Sequence, residues 1–312
     1  SLEYWGPRML GGGPAIALWA VLSFFNGVGH VRHALAVNAF VAVLNAALNE
    51  WLMFGLGWGV GGVAAATGIA EAAGLALGLW LCRDALRGRD WRDRARVLAR
   101  GPLRRMAAVN RDILIRSLLL EAVFLSVLFQ GAGQGEVPLA ANQVLMQFLA
   151  LSAYALDGFA FAAEALVGQA FGARDAPALR RAAQLASLWG AGIAAALSAA
   201  FLLAGPAVID LMATAPAVRQ AARAFLPWAA LAPLSGVAAF MLDGIFVGAT
   251  RSRDMRDMMA LAVALYFAAA WPLVGAFGNH GLWAALHLSF AARAGLLALR
   301  WPALLRAAGQ PG

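Results

Sequence analysis

The stretch PLAANQVLMQFLALSAYALDGFAFAAEALVGQAFG, residues 138–172, is long and apolar, yet it contains the two carboxylates Asp157 and Glu164. These residues are seven positions apart, which is about two helical turns, so both side chains lie on one face of a helix. A carboxylate at the centre of a membrane helix costs about 2.5–3.5 kcal/mol on insertion scales. Both groups are therefore expected to face protein or a water-filled cavity, and the stretch predicts a cation or proton site inside a membrane bundle.

The composition of the whole chain agrees with a membrane protein. Hydrophobic residues make up 62% of the 312 residues and charged residues only 13%, whereas charged residues alone are about a quarter of a soluble domain. The formal net charge of +8 resembles that of a nucleic-acid-binding protein. However, the arginines cluster in the connections between apolar segments, so no nucleic-acid partner is expected. The single Cys82 excludes a disulfide framework and a metal site built on thiolates.

Hydropathy predicts an all-α polytopic membrane protein with nine transmembrane helices, because backbone groups in lipid must be satisfied within their own helix. The predicted spans are residues 9–29, 34–56, 60–82, 113–131, 138–165, 182–204, 225–249, 258–277 and 281–301. If residues 83–112 are cytoplasmic, alternation leaves only Arg8, Arg219 and Arg223 on the opposite side. Arginine is enriched in cytoplasmic connections, so we expect a cytoplasmic C-terminus.

An internal repeat predicts the domain organisation. Shifting the chain by about 220 residues aligns GGVAA at residues 61–65 with GLWAA at 281–285, and the order of spans and turns agrees around them. Residues 1–82 are therefore predicted to be the last three helices of an N-terminal lobe, and residues 113–312 a complete six-helix C-terminal lobe. By the same logic about 110 residues are expected to precede Ser1, so the chain is expected to be truncated.

Residues 83–112 form the predicted cytoplasmic linker between the lobes. This linker is rich in arginine and also contains Trp91, Leu98 and Leu103, a mixture that favours an amphipathic segment on the inner membrane surface. A specific regulatory or nucleic-acid role is the alternative.

Acidic residues inside the predicted spans are the first candidates for ion or proton coupling. Asp157 is favoured, since it lies deep in its span, and Gly158 beside it is expected to permit a close helix contact. Glu164 is nearer the cytoplasmic end and has a structural role as an equal alternative. Asp243 is a further candidate, although it could instead pair with Arg251 or Arg253. Functional and structural roles are equally expected for Glu121.

Polar residues in the spans are candidates for a cavity or for contacts between helices. Amide side chains often join membrane helices, which is the favoured role for those on the second span. Tyr154 is one turn from Asp157 and could bond to it. The residues of this group are Asn45, Asn49, Glu71, Asn142, Gln143, Gln147 and Tyr154.

Enzyme motifs are missing from the sequence, which contains no H-E-x-x-H, G-x-S-x-G or P-loop pattern. The four histidines are dispersed and form no ligand set. We therefore expect no enzyme activity, no catalytic residue, no metal site and no organic cofactor. No obligate protein partner is evident from the sequence.

Four stretches resemble the multidrug and toxic compound extrusion (MATE) transporters, more narrowly their DinF-like branch. They are NAALNEWLMFGLGWGVGGVAAATGIAE, AANQVLMQFLALSAYALDGFAFAAEALVGQAFGARD, LDGIFVGATRSRDMRD and GNHGLW. The resemblance implies two six-helix lobes around a central cavity in a prokaryotic plasma (inner) membrane. It also implies that Glu121 occupies the place of a functional acid in the seventh helix, Asp157 and Glu164 fall in the eighth-helix motif, and Asp243 falls in the tenth.

The resemblance implies an antiporter that exchanges organic cations or other amphipathic compounds for inward-moving protons or sodium ions by alternating access. A flippase of lipid-linked intermediates is the nearest alternative, and it would be expected to have a cationic cavity. The four acids Asp157, Glu164, Asp243 and Glu121 predict an acidic cavity instead, with Arg293 as the only arginine deep in a span. A third possibility is an inactive or scaffolding membrane fragment.

Overall fold

The computed structural model describes residues 9, 11–87, 93 and 98–309, and this part of the chain contains helices and turns but no β-strand. A π-helical turn, Trp51–Gly55, extends the second helix. The helices are α1 (Gly12–Val28), α2 (Val31–Glu50), α3 (Gly59–Leu81), α4 (Arg83–Leu86), α5 (Arg100–Ala132), α6 (Glu136–Gly172), α7 (Ala176–Met212), α8 (Pro216–Gly248), α9 (Ser252–Ala298) and α10 (Trp301–Gly309).

Within the described part of the chain, six helical segments are long and apolar enough to cross a membrane. They are α2 with its π-helical turn, α3, α6, α7, α8 and the run Ser252–Gly309. The all-helical, multi-pass class predicted from the sequence is therefore confirmed. Of the other predicted spans, α1 has only 17 residues, and α5 contains charged residues along its first half. The number of nine crossings stays a prediction.

The chain divides into two compact units, the first ending at Arg100 and the second beginning at Gly101. In the first unit, α1, α2 and α3 pack through a small apolar core that includes Leu18, Phe25 and Val37. Glycines on α3 allow this packing, because a Cβ at Gly74 would lie 2.2 Å from the Val41 side chain. Of the predicted amphipathic linker, residues 83–112, the nine residues 88–92 and 94–97, including Trp91, lie outside the described residues, whereas α4 occupies Arg83–Leu86 and α5 begins at Arg100.

In the second unit, α6 and α8 pack with their backbones in contact. A Cβ added at Gly244 would lie 2.3 Å from the carbonyl oxygen of Ala160, and one at Gly248 would lie 2.3 Å from that of Glu164. Small residues spaced four apart are the usual means by which membrane helices approach closely, since lipid supplies no hydrophobic drive for association. This contact brings the acidic face of α6 beside the Asp243 segment of α8.

The long helix α9 is broken at Gly278, where the backbone has φ 56° and ψ −129°. A Cβ at Gly281 would lie 1.9 Å from the carbonyl oxygen of Leu273, eight residues earlier. Eight residues of straight helix span about 12 Å, so the chain must reverse direction between these residues. The glycine at 278 permits the reversal because its φ lies in the left-handed region that other residues rarely adopt.

Candidate functional site

A buried ion cluster lies where α5, α8 and α9 meet. The carboxylate of Asp243 on α8 accepts hydrogen bonds from Arg116 on α5 and from Arg293 on the second arm of α9. Asp243 is 9% exposed and Arg293 3% exposed, so the charges are held away from solvent. Asp243 is the shared counter-charge of both guanidinium groups, so its removal would leave them without a bonded carboxylate in the interior.

The interpretation of Asp243 as a partner of Arg251 or Arg253 is wrong. Helix α8 ends at Gly248, and Thr250 then adopts a positive φ of 54° that turns the chain into α9. The turn carries Arg251 away from α8, where it donates to Asp254 at 2.7 Å, while Arg253 is exposed.

A cavity of about 340 Å³ adjoins the ion cluster within the second unit. Asp157 and Glu164 on α6 both line this cavity, in agreement with the prediction that they share one helix face. Its lining is Arg116, Leu120, Phe124, Ala153, Asp157, Ala160, Phe161, Glu164, Phe240, Asp243, Gly244, Val247, Phe290 and Arg293.

The charges of this cavity differ from the acidic cavity expected from the sequence. Three carboxylates line it, but so do the guanidinium groups of Arg116 and Arg293. Arg293 was the only arginine expected deep in a span, and Arg116 lies four residues after the end of the predicted linker. The long side chain of Arg116 nevertheless reaches Asp243. The sequence therefore predicted one of the two cavity arginines, Arg293, and not the other.

Glu164 and Asp157 both line the cavity without a side-chain hydrogen bond or ion pair to a described residue, and Asp157 is the one beside the ion cluster. It is half-buried, and it makes no hydrogen bond or ion pair with any residue that the structure describes. It nevertheless lies close enough to Asp243, Arg116 and Arg293 to feel their charges. Asp243 forms ion pairs with both arginines, whereas Asp157 forms none with a described residue, although the two aspartates line one cavity.

Two of the sequence interpretations around Asp157 are wrong. Gly158 does not mediate a close helix contact, since nothing lies within 4 Å of a Cβ placed there; Gly244 and Gly248 on α8 do so instead. Tyr154 does not bond to Asp157, because its side chain is 76% exposed and lies outside the cavity lining. The α6 face that meets α8 therefore includes Ala160 and Glu164 but neither Tyr154 nor Gly158.

Glu121 lies at a different cavity, of about 210 Å³, which it shares with Asn142 and Gln143. Both Glu121 and Gln143 are exposed at its rim. Gln147 is exposed one turn further along α6 and lines neither of the two cavities described so far. The four predicted acids are thus divided between two cavities.

Asn142 forms the centre of a buried polar cluster beside the α9 reversal. Its side-chain amide exchanges two hydrogen bonds with Asn279, at 2.7 Å and 3.0 Å. The indole of Trp283 donates a third to the Asn142 oxygen at 3.0 Å. Sequence reasoning named Asn142 but missed its partners, for which the GNHGLW segment was the available signal.

In the first unit, Asn45 joins neighbouring helices as favoured from the sequence, whereas Asn49 bonds within its own helix. Asn45 on α2 donates to the hydroxyl of Thr67 on α3 at 3.1 Å, and Asn49 donates to Asn45 at 2.7 Å. Glu71 lies half-buried one turn further along α3. These residues belong to the packing of the first unit.

A second ion cluster lies just before the span predicted on α5. The buried carboxylate of Asp112 accepts hydrogen bonds from Arg111 at 3.1 Å, Arg256 at 2.7 Å and Ser252 at 3.3 Å. Burial alone would raise the pKa of the Asp112 carboxyl, but these hydrogen bonds and the arginine charges outweigh burial and lower it. The cluster ties α5 to the start of α9.

Comparison with known proteins identifies the family of this chain. The MatE family model matches residues 113–273, which contain both ion clusters apart from Arg111, Asp112 and Arg293. The chain belongs to the MATE family. It is 40% identical over 301 residues to DNA damage-inducible protein F of Escherichia coli (strain K12), a match that covers 94% of this chain and 64% of that protein. The chain thus spans less than two thirds of the length of this relative.

Solved structures show the same fold. A MATE crystal structure in the bent conformation matches with a TM-score of 0.86 at 18% identity, over 99% of this chain and 70% of the other. The Vibrio cholerae MATE transporter VcmN in the bent form matches with a TM-score of 0.86 at 17% identity, over 98% and 69% of the two chains. A MATE crystal structure in the straight conformation matches with a TM-score of 0.87 at 19% identity, over 97% of this chain and 70% of the other. MATE proteins are transporters and not enzymes, as the missing enzyme motifs predict.

Proposed function

We propose that this MATE chain is part of a cation-coupled antiporter that exports organic cations or other amphipathic compounds in exchange for protons or sodium ions. The observation that carries the proposal is the contrast between Asp157, which has no bonded partner, and Asp243, which has two. Asp157 is open to the cavity and can take up a proton or a cation there. Asp243 is already neutralised, so it is the weaker candidate.

The coupling follows from competition for the arginines. The structure has Arg116 and Arg293 on Asp243, and we assign this arrangement to the state in which Asp157 is neutral. When Asp157 loses its proton or cation, its negative charge draws on the same two guanidinium groups. The cavity then has two charge arrangements, and alternating access requires that each favours a different helix packing. Glu164 lies two turns further along α6 and gives the cavity a second carboxylate that substrate can contact.

The topology belongs to the same proposal. We propose that residues 1–82 are the last three helices of one lobe, that residues 83–112 are the linker, and that residues 113–312 are the second lobe. With nine crossings, the C-terminus lies in the cytoplasm of a prokaryotic cell. The lipid bilayer and small-molecule substrates are then the partners of the protein.

A flippase of lipid-linked intermediates is a second candidate, and the two cavity arginines favour it. The Nε atoms of Arg116 and Arg293 are buried and have no hydrogen-bond partner among the described residues, so they could bind a phosphate oxygen. The antiporter is favoured because both guanidinium groups already bind Asp243 and carboxylates outnumber them around the cavity.

Transport by proteoliposomes tests the proposal. Vesicles containing the protein are loaded with a fluorescent organic cation, and efflux is followed after an imposed proton or sodium gradient. We expect Asp157→Asn to abolish the response to the gradient. Glu136→Gln is the matched control, since Glu136 is an exposed acid in the first turn of the same helix. Coupled efflux that is unchanged in Asp157→Asn would remove Asp157 from the mechanism.

A further inference from the structure

Two surface grooves meet at Arg180, near the start of α7. One has a volume of about 470 Å³ and the other about 610 Å³, and Arg180 and Gln184 line both. The first is lined by Ala176, Pro177, Arg180, Arg181, Gln184 and Leu305. The second is lined by Arg180, Ala183, Gln184, Ser187, Leu188, Leu242, Ile245 and Trp301.

The charged end of these grooves carries two unpaired arginines. Arg180 and Arg181 are exposed, and neither forms an ion pair or hydrogen bond with a residue in the described part of the chain. The nearest acid in sequence is Asp175, which caps α7 by accepting from the backbone N–H of Ala178 at 2.8 Å. Two adjacent guanidinium groups are therefore available to an anion. Arginine binds phosphate with paired, nearly planar hydrogen bonds.

The other end of the second groove is apolar. Its lining passes from Arg180 to Leu188, eight residues along one face of α7, which is about 12 Å of helix. Leu242 and Ile245 of α8 form the facing wall. Trp301 stands at the start of α10, and tryptophan is enriched where lipid headgroups meet acyl chains. The groove is thus cationic at Arg180, polar at Gln184 and Ser187, and apolar where Leu188, Leu242 and Ile245 line it.

We infer that these grooves bind an anionic phospholipid, with its phosphate on Arg180 and Arg181 and an acyl chain along Leu188. The ligand is a lipid and not a free anion, because the groove continues from Arg180 to an apolar end lined by Leu188, Leu242 and Ile245. A net negative headgroup is preferred to a zwitterionic one, since no carboxylate lines either groove to hold a choline group. This site is separate from the Asp157 cavity and does not depend on the transport proposal.

Native mass spectrometry of the detergent-purified protein tests the inference, with phosphatidylglycerol and phosphatidylcholine titrated separately. We expect phosphatidylglycerol to bind more tightly, and Arg180→Gln with Arg181→Gln to weaken its binding roughly tenfold, as expected for the loss of charge-assisted hydrogen bonds. Arg253→Gln is the matched control, because Arg253 is exposed at the start of α9 and lines none of the described cavities.

Three results would overturn the inference. One is an equal loss in Arg253→Gln, which would mean diffuse attraction to surface charge. Another is displacement of phosphatidylglycerol by millimolar inorganic phosphate, which would mean a simple anion site. The third is unchanged binding in the double variant. A second variant, Ser187→Trp, fills the second groove and leaves both arginines in place. It is expected to weaken phosphatidylglycerol binding without changing the size-exclusion elution profile of the protein.

Discussion

Arg293 and Asp243 form an ion pair in the interior of the second unit, 50 residues apart in the chain and on different helices. With Arg116 they make a cluster in which one carboxylate serves two guanidinium groups. The cluster joins three helices around the cavity that contains Asp157. Its stability therefore decides whether the cavity keeps its shape.

Asp243→Asn is expected to destabilise the protein by about 3–5 kcal/mol, because it leaves two buried guanidinium groups without a counter-charge. Thermal melting in detergent measures the effect. The matched control is Asp210→Asn, which removes a surface ion pair with Arg223 whose side chains are 37% and 50% exposed. That control should cost at most about 1 kcal/mol. Equal losses in the two variants would contradict a buried role for the cluster.

Gly244→Ala is expected to destabilise the protein by about 1–3 kcal/mol or more, because the added methyl group would overlap the carbonyl oxygen of Ala160. Gly158→Ala is the control, since that position has open space around it. Alanine favours a helix over glycine by about 1 kcal/mol, so the control should be neutral or stabilising. Only Gly244→Ala should lower the melting temperature, and an equal decrease in Gly158→Ala would argue against the α6–α8 contact.

These two glycines show why the site could be predicted only in part. Both follow an aspartate, in Asp157–Gly158 and in Asp243–Gly244, and their local sequences do not distinguish them. Only the packing of α6 on α8 decides which glycine meets a neighbouring backbone. Pattern reasoning therefore identified the dipeptides and assigned the close contact to the wrong one.

The apolar helices were predictable because their signal is local. A helix in lipid satisfies its own backbone, so length and hydropathy are enough to find it. The ion cluster was not predictable in the same way. Arg116 is 127 residues from Asp243, and the choice of Arg116 over Arg251 depends on the turn at Thr250. Side-chain partners across helices need the three-dimensional arrangement.

Asn142→Ala is expected to cost about 1–2 kcal/mol, because it leaves the buried amide of Asn279 and the indole of Trp283 without their partner. Gln143→Ala is the control, as the neighbouring side chain is exposed. Thermal melting again provides the measurement. Replacing both asparagines with leucine should recover part of the loss, since it removes the unpaired amide as well. A double variant less stable than Asn142→Ala would contradict this account.

The Asp112 cluster predicts a pH dependence of stability. The pKa of this carboxyl is lowered in the folded protein from its ordinary value of 3.8. Its contribution is therefore fully present above that value and is lost as the pH falls through the lowered pKa. We expect the difference in melting temperature between the protein and Asp112→Asn to be constant from about pH 5 to 7 and to shrink below about pH 4. A difference that grows on acidification would contradict the assignment.

The break in α9 also determines where the end of the chain can lie. A straight helix of 47 residues would be about 70 Å long, more than twice the hydrocarbon thickness of a bilayer. The reversal at Gly278 divides it into two helical pieces, and the length of each is close to the thickness of one bilayer. Which face of the membrane Arg300 and Arg306 reach therefore depends on the backbone conformation of a single glycine.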